Sequence, residues 1–204
     1  MSQINMWEIE ETHFENGIKI ICGVDEAGRG PLAGPVCAAA VILPPHADIP
    51  GLNDSKKLSD KRRRELFPVI KQAAVAYGIG IATHEEIDRI NILQATYLAM
   101  ERALQNLGVK PELALIDGNR AKDFGLPVET VVKGDSRSAS IAAASILAKV
   151  TRDDMMLELA DTYPQYGFEI HKGYGTKAHY AALDEHGISP IHRMSFLKKY
   201  NGQK

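Results

Sequence analysis

Cys22-Gly23-Val24-Asp25-Glu26-Ala27-Gly28-Arg29-Gly30-Pro31-Leu32-Ala33-Gly34-Pro35 is the stretch around which the rest of this chain reads. The mostly apolar run Ile18 to Ile21 enters it as a buried strand, and the glycines and prolines stop that strand. Two adjacent carboxylates at a strand end precede a loop whose backbone can approach a ligand closely. That combination fits a site for metal and phosphate. An ordinary solvated turn is the competing reading of this stretch taken alone.

The 204 residues are enough to bury a full core, and 45% hydrophobic with 25% charged residues is the balance of a soluble globular protein. No run approaches the roughly 18 apolar residues of a membrane span. Met1 to Asn16 carries Glu8, Glu10, Glu11 and Glu15 with no Lys or Arg, unlike a signal peptide. Cys22 and Cys37 lie in apolar strand-like runs and read as buried thiols of a reducing, cytoplasmic compartment. The net charge of −2 hides a segregation. Residues 52–65 hold six Lys/Arg against three Asp/Glu, and residues 171–204 hold six against two. Basic stripes beside a carboxylate cluster suit a polyanion, although solvated helix faces would look the same.

Outward from the opening stretch, residues 1–16 read as a loosely attached lead-in with Trp7 and Phe14 tucked onto the body. Val36 to Leu43 reads as a second strand, antiparallel to the first. Residues 60–73 form a basic helix that Pro68 should kink or shorten. Val75 to Ala82 is a third strand. Thr83 with Glu86 has capping-box spacing, and Asn91 caps a longer helix. Leu113 to Asp117 and Thr130 to Val132 are further strands. Ser136 or Ser138 caps a helix to about Leu159, whose first half is almost all small residues and so can lie close to a sheet. Helices are expected at Thr176 to Glu185 and near Pro190 to Tyr200.

Asp25-Glu26, Asp117 and Asp135 share one context, an apolar strand followed by a carboxylate beside glycine. In an α/β sheet the strand ends form the ligand crevice. Converging carboxylates repel unless cations sit among them, and hard oxygen ligands select magnesium or manganese over zinc. Two such ions hydrolyse a phosphodiester by activating water and stabilising the leaving oxygen. Neighbouring strand residues point to opposite faces, so Asp25 and Glu26 can share a site only if the strand breaks between or just after them.

Gly23-Val-Asp-Glu-Ala-Gly-Arg-Gly-Pro31, Asn53-Asp-Ser-Lys-Lys-Leu-Ser59, Asp117-Gly-Asn119 and Lys133-Gly-Asp-Ser136 resemble the type 2 ribonuclease H family of bacteria. So do Ala142-Ala-Ala-Ser-Ile-Leu-Ala-Lys-Val-Thr-Arg-Asp153, His171-Lys-Gly-Tyr-Gly-Thr-Lys177 and Ser189-Pro-Ile-His-Arg193, in the same order and spacing from about Ile18 to Phe196. The resemblance implies an α/β, ribonuclease H-like fold: a mixed five-stranded sheet flanked by helices, with a small helical C-terminal extension. The expected division is 1–16 lead-in, 17–160 catalytic domain and 161–204 extension.

Asp25, Glu26, Asp117 and Asp135 fall on the family's four catalytic, metal-holding acids, which take two Mn2+ or Mg2+ ions. Gly28, Arg29 and Gly30 match the segment whose backbone contacts the ribonucleotide 2′-hydroxyl. Tyr174 matches the tyrosine packed on the sugar. The implied substrates are RNA–DNA hybrid and ribonucleotide-containing duplex DNA, cut on the 5′ side of the ribonucleotide to leave 3′-hydroxyl and 5′-phosphate ends, as in ribonucleotide excision repair. The 2′-hydroxyl is the one group that separates RNA from DNA at such a site. Lys56, Lys57, Lys172 and Lys177 are expected to hold phosphates. The chain is expected to be monomeric and to make no membrane contact. Phe196 and Leu197 either anchor a replication protein at the C-terminus or pack onto the body, the reading favoured. His179, His186 and His192 read as surface or capping residues.

Two other classes stay open on the residues alone. One is a DNA nuclease or strand transferase with the same carboxylates, in which Tyr174 and the glycine loop have no purpose. The other is a non-catalytic nucleic-acid-binding module. A nucleotide-phosphate enzyme is disfavoured, because no Gly-x-x-x-x-Gly-Lys-Ser/Thr loop occurs.

Overall fold

Strands β1 (Ile21–Ala27) and β2 (Val36–Ile42) pair antiparallel, and β2 pairs antiparallel with β3 (Ala76–Ala82). On its other edge β1 runs parallel to β4 (Leu113–Asp117), which runs parallel to β5 (Val128–Val131). The result is a mixed five-stranded sheet of order β3-β2-β1-β4-β5. This computed structural model describes residues 5–200, so the ends of the expected lead-in (1–4) and extension (201–204) lie outside the described residues.

Strand alternation assigns the two faces. Cys22, Val24, Ala38, Ala40, Ala114 and Ile116 pack with α3 (His84–Gln105). Ala39, Val41, Ile21 and Leu115 face the other way, toward α4 (Ala139–Thr162), with Leu66 and Ile70 of α2 (Asp60–Ala73) beyond it. Ser138, not Ser136, caps α4, its hydroxyl accepting from the Ile141 amide. The small-residue half of α4 does lie close to the sheet: a Cβ on Gly23 would stand 2.1 Å from the Ser140 carbonyl carbon. No helix among the described residues is long and apolar enough to cross a membrane. Both cysteines are buried, and burial pushes their thiols up to about 12.

The Thr83–Glu86 capping box forms, and Asn91 (φ 66°) breaks α3 and recaps it by accepting from the Leu93 and Gln94 amides. Pro68 does not interrupt α2. It sits on the solvent face, where water can reach the Arg64 carbonyl left without its helical partner.

The lead-in is held more firmly than expected. Trp7 and Phe14 of its helix α1 (Glu8–Glu15) and flank pack on the body, and Glu10 is wholly buried, accepting from Ser138 Oγ and the Ser140 amide. Beyond α4 come α5 (Phe168–His171) and α6 (Lys177–His186). The helix expected near Pro190 to Tyr200 does not form. The Met194 and Ser195 amides donate to Asp88, and the Arg193 amide donates to the Leu32 carbonyl, so they are not free to build helical bonds. Phe196 and Leu197 pack into the C-terminal core.

Candidate active site

Val24 pairs with Ile116 across the parallel β1–β4 ladder, so the next residues, Asp25 and Asp117, come side by side at the strand ends. After β5, Lys133 in the left-handed region (φ 56°) turns the chain into a short 3-10 turn, Gly134–Ser136, which carries Asp135 inward. The Gly134 amide fastens that turn to Asp117 Oδ1 at 2.7 Å. One carboxylate oxygen from each of Asp25, Asp117 and Asp135 lies within 4.8 Å of the other two.

Glu26 does not join this group. The strand runs on through Glu26 to Ala27 without a break, so Glu26 points to the α3 face while Asp25 points to the α4 face. Gly28 (φ +94°) ends the strand only one residue past Glu26. Glu26 still borders the cleft at the sheet's end, and its Oε1 accepts from Arg29 Nη1 at 3.2 Å.

Burial pushes the Asp25 carboxyl well above its ordinary range, and the charges of Glu26 and Asp117 push it further. Its Oδ1 accepts the Glu26 amide, while Oδ2 is buried without a partner. Burial also raises Glu26, against the pull of Arg29, and raises Asp135, against the pull of Lys56. Lys56 Nζ stands 3.2 Å from Asp135 Oδ2, and the carboxylates of Asp135 and Asp25 raise this lysine although burial opposes them. An orphaned buried oxygen within a set made only of carboxylates is what a hard divalent cation would complete, so the residues fit magnesium or manganese.

The cleft over these groups is lined by Asp25, Glu26, Gly28, Arg29, Gly30 and Tyr174, among others. The expected reading loop and the expected tyrosine therefore meet at the carboxylates. Tyr174 is half exposed, and its ring lies near Gly30. Of the expected phosphate-holding lysines, Lys56 borders the cleft and Lys57 lies beside it, 3.8 Å from Asp54 Oδ2. Lys172 donates instead to the Glu169 carbonyl, and Lys177 opens α6 on the surface. The structure does not gather Lys172 and Lys177 onto the carboxylate cleft.

Residues beneath the cleft went unassigned in the sequence. Arg193 and Arg152 are fully buried, with no carboxylate partner among the described residues, and spend their donors on backbone carbonyls. Burial, with Arg152 close by, pulls Arg193 down to about 9, and its guanidinium stands 5.2 Å from the Phe196 ring centroid. Gly28 (φ +94°) is required by Arg152, whose Nε would lie 1.9 Å from a Cβ there.

The surface reading of two histidines is also corrected, since His179 and His192 are buried. His179 Nδ1 donates to the Tyr174 carbonyl, and its Nε2 accepts from His192 Nε2 at 2.9 Å. His192 Nδ1 accepts in turn from the Ser189 amide and hydroxyl. Every atom in this chain is satisfied only with both rings neutral. His186 is exposed at the end of α6, as read. The one signal available in the sequence was arginine and histidine inside the stretches that carry the family resemblance, Thr151-Arg152-Asp153 and His192-Arg193.

A family model described as Ribonuclease HII matches residues 22–199. Ribonuclease HII of Dechloromonas aromatica (strain RCB) is 62% identical over 179 residues, covering 88% of this chain and 91% of that protein. The crystal structure of ribonuclease H2 from Pyrococcus horikoshii OT3 superposes with a TM-score of 0.73 at 29% identity, covering 86% of this chain and 93% of that one. The PCNA:RNase HII complex from Archaeoglobus fulgidus superposes with a TM-score of 0.74 at 26% identity, covering 90% and 97%.

Proposed function

The chain belongs to the ribonuclease HII family, metal-dependent ribonuclease H hydrolases, and on that premise we propose that it cuts the RNA strand of RNA–DNA hybrids and incises duplex DNA on the 5′ side of single ribonucleotides. The ends left would be 3′-hydroxyl and 5′-phosphate. One observation carries the reading: Asp25 and Asp117, which converge with Asp135, line the same cleft as Gly28, Arg29, Gly30 and Tyr174. A site for phosphodiester hydrolysis and a site suited to sensing a ribose thus share one space.

Asp25, Asp117 and Asp135 would hold divalent ions, magnesium or manganese and two during catalysis, with Glu26 at the border. When bound, such ions supply Lewis-acid activation of water and stabilisation of the leaving oxygen. The protein residues do the remainder. Amides of the Gly28–Gly30 loop approach the 2′-hydroxyl, where a larger side chain would stand in the way. Tyr174 lays its ring on the sugar beside the scissile phosphate. Lys56 and Lys57 set the register of the backbone, and Lys172 and Lys177 touch phosphates further along the duplex.

The domain division proposed is a lead-in, a catalytic unit of residues 17–160, and an extension from 161 that supplies Tyr174. Removal of misplaced ribonucleotides from DNA, in the cytoplasm and by a monomer, is the biological role this chemistry supports. Contact with a replication protein through the C-terminus belongs to the proposal, a structural neighbour being a complex with PCNA. Because Phe196 and Leu197 are committed to the C-terminal core, other residues of that end would have to make it.

Cleavage of an end-labelled DNA duplex carrying one ribonucleotide, with and without divalent metal, tests the reading. A single metal-dependent cut 5′ to the ribonucleotide, absent from the all-DNA duplex, is the expected result. Equal cutting of the all-DNA duplex would assign the site to a DNA nuclease.

A further inference from the structure

Four backbone carbonyls of the loop beneath the cleft turn toward one guanidinium. Arg193 Nη2 donates to the Gly28 carbonyl at 2.7 Å and to Pro35 at 3.1 Å, Nη1 to Arg29 at 3.0 Å, and Nε to Gly34 at 2.9 Å. In a trans peptide the carbonyl and the following N–H point in opposite directions, and no cis peptide occurs among the described residues. Turning the Gly28 and Arg29 carbonyls toward Arg193 therefore turns the Arg29 and Gly30 amides away from it. Neither amide donates to a partner among the described residues. The segment that carries them lines the cleft beside Asp25 and Tyr174.

We propose that Arg193 is a positioning residue: it fixes these two peptide planes so that the Arg29 and Gly30 amides form a preset donor pair for the 2′-hydroxyl oxygen of the ribonucleotide. The proposal deepens the function proposed above and rests on it. The physical need is plain, because a segment with glycine at both ends wanders unless braced. Donors fixed before the substrate arrives need no reorganisation during the reaction. Arg152 extends the brace by donating to the Ala33, Pro35 and Lys172 carbonyls. The loop and the turn leading to Tyr174 are thereby held as one unit. A bare core role for Arg193 would lower stability and weaken action on every substrate alike.

The test is Arg193→Lys in the full chain, which keeps the charge and loses the planar fork. With the melting temperature recorded, kcat and KM are measured on the single-ribonucleotide duplex, and Kd on the all-DNA duplex of the same sequence. The expected result is a loss of about 10- to 100-fold in kcat/KM, carried mainly by kcat, with all-DNA binding within about twofold of wild type. A folded Arg193→Lys that keeps near-normal kcat, or that loses all-DNA binding in proportion, overturns the proposal. Should Arg193→Lys fail to fold, nitrogen-15 relaxation of substrate-free wild type decides. Order parameters of the Arg29 and Gly30 amides near about 0.85 support a preset donor pair, and values below about 0.6 overturn it. A wild-type protein that ignores the ribonucleotide defeats the functional reading itself, and that result is visible before any variant is made.

Discussion

The ammonium of Lys56 lies 3.2 Å from Asp135 Oδ2, so a side chain expected to hold phosphate is turned onto the carboxylate cluster. Ammonium and divalent ion would compete for the same oxygen. Replacing Lys56 with Gln should lower the melting temperature of metal-free protein and enlarge the upward shift on adding manganese. Thermal melts of both proteins with and without the ion check this. Equal shifts would place Lys56 outside the ion's reach.

Asp25→Asn should separate stability from activity. The folded-state pKa of Asp25 is raised, so its stabilising contribution is present below the unfolded value and is lost as pH rises through the folded one. In metal-free wild type at pH 8 the buried carboxyl is a cost, and the amide, which does not ionise, removes it. The variant should melt higher than wild type at pH 8, with the gap closing toward pH 4. Its turnover should fall by at least about 10²-fold. Retained turnover in the folded variant would remove Asp25 from the reaction.

Tyr174 offers the cleft a flat ring that is half exposed. Tyr174→Ala should reduce kcat/KM on the single-ribonucleotide duplex by about 10²-fold, and Tyr174→Phe by much less because the packing face remains. Manganese affinity should not move, since no carboxylate changes. Calorimetric titration beside the kinetics reads both. Near-normal rates for the alanine variant would leave the glycine loop as the only reader of the sugar.

Acid should loosen the C-terminal unit through its histidine pair. Burial, followed by neighbouring His179, holds His192 down at about 4. A depressed pKa contributes stability that is present above the unfolded value near 6.5 and is lost as pH falls through the folded one. The loss should reach about 3 kcal/mol between pH 6.5 and 4. Denaturant melts across that range should show it. His192→Gln, which can still donate to His179, should flatten the curve, and an unchanged slope would absolve the pair.

Much of this was legible in the sequence because it is local. The β1–β2 hairpin, the Thr83–Glu86 box and the Asn91 cap are each written within a few residues, as is each apolar run that leads to Asp25, Asp117 or Asp135. Even the close approach of α4 to β1 was readable from its run of small side chains. Tertiary structure alone decided the rest. Glu26 leaves the aspartate cluster because β1 continues through it and strand alternation sends its side chain to the other face. The helix expected near Pro190 fails because Asp88, more than a hundred positions away, takes its amides. Arg193 reaches back more than 150 residues to carbonyls of the Gly28–Pro35 loop, and His192 meets His179 across a turn. Backbone carbonyls are the same in every residue, and amides in every residue but proline, so partnerships built on them leave no pattern in the sequence and exist only once the chain has closed on itself.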